Sequence, residues 1–146
     1  MLRKVLLAVD GSPSANAAAK WVAGLAERMP GLEVTAVHVV SDPRLYLGVM
    51  TEAYASPPPL DRQTLEGLGK RALDAARAAL GADVHLETKV VEGPAAEEIV
   101  SLAAEGGFEL VVMGRRGLNP VAQLVLGSVS ERVVHLARCP VVIVRA

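Results

Sequence analysis

The tetrapeptide Leu110-Val111-Val112-Met113 has no polar side chain on either parity, and it limits the fold more than any other stretch. A strand with one wet face alternates apolar and polar residues, whereas one apolar on both sides is covered on both. Such strands belong to parallel sheets packed between helices. Val5 to Val9 and Val141 to Val144 read the same way. Hydrophobic residues make up 51% of the 146, yet aromatic ones only 3%. The core must then be Ala, Val and Leu, which suits alanine-rich helices lying close on a sheet.

Helical spans separate these runs. Ser12-Pro13 supplies an N-cap and a proline for the first helical position. Ala18, Trp21, Val22, Leu25 and Met29 recur at threes and fours, which predicts one buried face, stopped by Pro30-Gly31. Val34 to Val40 reads as the second strand. Asp61 is placed to cap a second helix whose stripe is Leu65, Leu68, Ala72, Ala76 and Ala79, ended by Gly81. Val84 to Val91 alternates, with His85, Glu87 and Lys89 on one parity, as expected of an edge strand. A third helix starts at Gly93-Pro94 and runs through Ile99, Val100 and Ala103 to Gly106-Gly107; a fourth spans Val129 to Ala137. Strands alternating with helices imply a parallel sheet with right-handed crossovers. Residues 41–60 lack a period and contain Pro43, Pro57, Pro58 and Pro59, the pattern of a long binding flap.

The stretch after the apolar tetrapeptide carries the chemistry. Gly114 and Gly117 follow the strand, and Gly127-Ser128 precede the fourth helix. Ser128 and Glu131 have the spacing of a capping box, which predicts Ser128 as the N-cap. A helix N-terminus offers unpaired N–H groups and a partial positive charge, an anion site. Strand, glycine loop and helix start together describe a phosphate cradle at the carboxyl ends of the strands, where open α/β sheets bind ligands.

The spacing Gly114-x2-Gly117-x9-Gly127-Ser128 resembles the nucleotide-binding pattern G-x2-G-x9-G-[S/T] of the universal stress protein family. Val9-Asp10-Gly11-Ser12, His38-Val39 and Cys139-Pro140-Val141-Val142-Ile143-Val144 extend the likeness over nearly the whole chain. The resemblance implies one domain, residues 1–146, with an open Rossmann-like five-stranded parallel sheet in the order 3-2-1-4-5 and helices on both faces. It implies ATP as the bound cofactor, with Mg2+. Gly114, Gly117, Gly127, Ser128 and Ser130 would surround the triphosphate, with Val129 beside them and Arg116 as a counter-charge. Asp10 would take ribose hydroxyls or assist the magnesium ion, and Val9, Val39 and Met113 would lie near the base. A homodimer through the strand Val141–Val144 is implied as well; that strand is apolar on both parities although it would lie at an edge.

Other classes are disfavoured. The net charge of −1 gives no footprint for nucleic acid or an anionic membrane surface. No apolar run approaches the roughly 18 residues of a membrane span. Cys139 is the only cysteine, consistent with a reducing cytoplasm. No G-x-G-x-x-G or P-loop occurs, and the adenylating S-G-G-x-D-S loop is absent after the first strand, where Val9-Asp10-Gly11-Ser12-Pro13-Ser14 stands. No spacing marks a general base near Ser128. The expectation is a nucleotide-binding regulator with at most slow hydrolysis. The alternatives are a dimeric interaction module with a structural nucleotide and, behind it, an ATP-consuming enzyme. His38, His85 and His135 have no metal-ligand spacing and are expected to be structural or surface residues.

Overall fold

In β1 (Lys4–Ala8), successive side chains go to opposite layers of the molecule. Val5, Leu7 and Val9 face a layer made by α1 (Pro13–Arg28) and α2 (Arg62–Leu80), against Ala15, Ala18, Ala19 and Val22 of the first and Ala72, Leu73, Ala76 and Leu80 of the second. Leu6 and Ala8 face Ala96, Ile99 and Ala103 of α3 (Ala95–Glu105) and Val133 of α4 (Ser128–Leu136). The computed structural model describes residues 1–41, 62–115 and 127–146. Asp61 lies outside these residues, and so does the expected flap except for Ser41.

The remaining strands are β2 (Glu33–Val40), β3 (His85–Glu92), β4 (Leu110–Gly114) and β5 (Val141–Val144). All pairings are parallel, and the order is β3-β2-β1-β4-β5. β1 pairs with β2 from Lys4↔Glu33 to Ala8↔Val37 and with β4 from Val5↔Leu110 to Ala8↔Met113. The direction of winding reverses between β1 and β4. The far end of the sheet is tied by a side chain: the Glu109 carboxylate accepts from the amides of Arg3 and Lys4 at 3.0 and 3.2 Å.

Two helical faces differ from their predicted stripes. Trp21 is 41% exposed, and the buried face of α1 is Ser14, Ala15, Ala18, Ala19 and Val22. Leu68 is 44% exposed, and α2 turns Gly69, Ala72, Leu73, Ala76 and Leu80 inward. The reason is steric. A Cβ on Gly69 would stand 2.9 Å from Cδ2 of the buried His38, so only glycine lets α2 approach β2 at this point. Where helix and sheet nearly touch at Gly69, Leu68 beside it turns to the rim, while Leu73 and Leu80 stay inside. In β3 the alternation is imperfect as well: Val90 is 53% exposed although its neighbour Lys89 is half-buried.

Candidate functional site

At the carboxyl end of β1 the chain is held by three short bonds. The Val9 amide donates to the Val37 carbonyl at 2.9 Å, and His38 Nδ1 lies 2.9 Å from the Val9 carbonyl. Asp10 Oδ1 accepts from the Ser12 amide at 2.9 Å, closing a turn in which Gly11 takes φ +82°. That φ is costly for any residue with a Cβ. Ser12 then caps α1, its Oγ accepting from the Ala15 amide at 3.2 Å, with Pro13 as the first helical residue. Val9 is buried and Asp10 exposed, so the carboxylate stands in solvent at the carboxyl end of the central strand.

The end of β4 is fitted more tightly. A Cβ on Gly114 would lie 2.4 Å from the Ser14 carbonyl carbon, so the strand touches the first turn of α1. The Gly114 carbonyl accepts from Ser130 Oγ at 3.2 Å. Ser130 is fully buried, and its hydroxyl hydrogen is committed to β4. It reaches the site by joining α4 to the strand end. Met113 is also buried, beside Val39 and Val129 in the same apolar cluster.

The N-cap of α4 is Gly127, not Ser128. Gly127 has φ −60° and ψ 154°, its side makes no capping bond, and its carbonyl accepts from the Glu131 amide at 2.9 Å. Ser128 is therefore the first helical residue, and the predicted capping box does not form. The extended glycine already occupies the cap geometry, which moves the serine one position inward. The chemistry of the cradle is kept: the amides of Ser128, Val129 and Ser130 have no acceptor within their own helix. The Ser128 side chain is exposed. Arg116 and Gly117 lie outside the described residues.

Beside this helix start is a cleft of about 150 Å³. Its walls are Ser41 after β2, Pro94 to Glu97 at the start of α3, and Ser128, Val129 and Arg132 of α4. Arg132 Nε donates to Glu97 Oε1 across its mouth. That hydrogen bond, followed by lesser backbone and Coulomb effects, holds the Glu97 carboxyl below its ordinary range. Sequence reading missed both residues. Arg132 follows Ser128 by four, hence shares its helix face, and that spacing could have revealed it. Glu97 is 35 positions away and carries no local signal. Among the described residues no cluster of three or more His, Cys, Asp or Glu could hold a metal ion, and no helix is long and apolar enough to cross a membrane.

An open parallel sheet with helices on both faces, reversing its winding between β1 and β4, with a cleft beside a glycine-preceded helix N-terminus, defines a doubly wound α/β protein. The chain belongs to the universal stress protein family, whose model matches residues 1–145. A universal stress protein of Methanocaldococcus jannaschii is 33% identical over 146 residues, covering 99% of this chain and 83% of that relative. A solved universal stress protein from Lactobacillus plantarum superposes with a TM-score of 0.73 at 28% identity, over 98% of this chain and 97% of the other. Another, solved in complex with cAMP, has a TM-score of 0.63 at 25% identity, covering 97% and 95%.

Proposed function

We propose that this chain binds an adenine nucleotide, ATP with Mg2+, at the carboxyl ends of β1 and β4, and acts as a nucleotide-dependent regulator. One observation carries the reading. The glycine-spaced segment ends in a helix start that Ser130 ties directly to Gly114 at the switch point. The complex of a relative with cAMP supports an adenine nucleotide as the ligand class.

The residues fit the group. Amides of Ser128 and Val129 would donate to phosphate oxygens, each charge-assisted bond contributing about 1.5–3 kcal/mol. The exposed Ser128 hydroxyl can add another. Asp10, at the carboxyl end of β1, would accept from a ribose hydroxyl or share a magnesium ion with the phosphates, as Mg2+ is commonly held by one or two carboxylates and its substrate. Val39, Val129 and Met113, of one apolar cluster, offer an apolar wall to the base, and Val9 lies on the opposite face of the sheet. By the motif spacing, Gly117 would let backbone approach the phosphates and Arg116 would balance their charge. Bound ATP would supply a charged, cleavable polyphosphate. Rapid transfer needs a positioned base and metal together, and the carboxylate nearest Ser128 in the cleft, Glu97, is engaged with Arg132. Hydrolysis is accordingly slow.

The first test is to denature the purified protein and identify released nucleotide by chromatography and mass. Two variants then locate the site. Gly127→Val suits the extended φ and ψ at 127 but puts branched bulk where phosphate needs backbone. Ser128→Glu adds a carboxylate to the first turn of α4, which favours the helix while repelling phosphate. Both should keep the circular dichroism and melting point of the wild type and lose ATP. Unchanged affinity in both would place the ligand elsewhere.

A further inference from the structure

We propose that Arg132 is a further phosphate contact, held by Glu97 in the free protein and handed over when a nucleotide binds. The inference rests on the nucleotide reading above and adds a residue and a mode of discrimination to it. Arg132 lines the same cleft as Ser128, one helical turn on. Helical side chains lean toward their own N-terminus, so the guanidinium lies over the turn that presents the free amides. Only its Nε is engaged by Glu97; among the described residues its two terminal nitrogens have no partner. A guanidinium with that edge available matches two phosphate oxygens.

Glu97 sets the threshold. Its carboxylate reaches Arg132 from α3, on the opposite wall of the cleft. The two side chains are 59% and 41% exposed, so water screens the pair and its rupture costs little. An incoming polyphosphate offers Arg132 more negative charge than one carboxylate does. A ligand without phosphates offers none, and leaves the pair closed. The Arg132–Glu97 pair therefore makes affinity depend on the phosphates and not on the base or ribose.

The test is calorimetric titration of the full chain and its variants with Mg-ATP and with adenosine. Arg132→Gln should weaken Mg-ATP about tenfold and leave adenosine unchanged. Glu97→Gln should tighten Mg-ATP by up to about fivefold, because Arg132 no longer has a competitor. In the Arg132→Gln background, Glu97→Gln should have no effect. Arg132→Lys, keeping charge without the fork, should fall between wild type and Arg132→Gln. Melting curves verify that each variant is folded. An Arg132→Gln protein that binds Mg-ATP like the wild type overturns the handover and leaves the nucleotide reading standing. Equal tightening by Glu97→Gln in both backgrounds overturns it too, because the carboxylate would then act by simple repulsion. A wild type that binds neither ligand overturns both readings.

Discussion

Gly114 and Ser130 show how single atoms fix the geometry of the cleft. A methyl group on Gly114 would meet the backbone of Ser14 at 2.4 Å, and backbone cannot rotate aside as a side chain can. Gly114→Ala should thus cost about 1–3 kcal/mol through overpacking, a fall of roughly 2–4 °C in melting temperature for each kcal/mol at this size. A melting curve like the wild type's would mean that β4 and α1 separate freely. Ser130→Ala removes the donor to the Gly114 carbonyl within a buried site. It should destabilise by about 1–3 kcal/mol and loosen the link between α4 and the sheet, read as faster amide exchange at the start of α4. Gly69 is a similar case: its hydrogen faces the ring of His38, which in turn meets the Val9 carbonyl.

At the scale of elements, α1 and α4 begin differently, and the difference suits their roles. The Ser12 hydroxyl satisfies an amide of α1, so Ser12→Ala should cost about 1 kcal/mol in chemical denaturation. α4 starts at a glycine with no capping side chain, and its first amides have no acceptor within the helix. The Glu97–Arg132 bond is a polar tie between α3 and α4. Because the folded pKa of Glu97 is depressed, its contribution is present above the ordinary value of 4.5 and is lost as pH falls through the lower folded value. The wild type should lose stability relative to Glu97→Gln over that acid range and match its own neutral difference above it. Parallel stability curves of the two proteins across that range would refute the linkage.

For the whole molecule, the exposed edge of β5 leads to the proposed homodimer. The carbonyls of Pro140 and Val144 accept from the amides of Val111 and Arg115, so even-numbered positions point their backbone toward β4. The outward groups of the edge belong to Val141 and Ile143. Two such strands can pair about a two-fold axis. Ile143→Pro would remove an outward donor and spare the β4 ladder, whereas Val142→Pro would break that ladder. Sedimentation should give a dimer at micromolar concentration for the wild type and a monomer for Ile143→Pro. A monomeric wild type would end the proposal.

Local pattern determined a great deal here. Apolar runs of strand length, helical stripes and the spacing from Gly114 to Ser128 marked the elements, the proposed phosphate-binding segment and the family resemblance, because each depends on residues close in sequence. The order of strands did not follow from the spacing; it came through the resemblance, and the sheet agrees with it. What lay beyond the sequence is contact between distant residues. Trp21 and Leu68 sit at the rim, and helical periodicity alone does not say which of two adjacent stripes is nearer the sheet. The bond between Ser130 and Gly114 and the pairing of Glu97 with Arg132 join residues 16 and 35 positions apart. Only packing the helices against the sheet brings these atoms within hydrogen-bond reach.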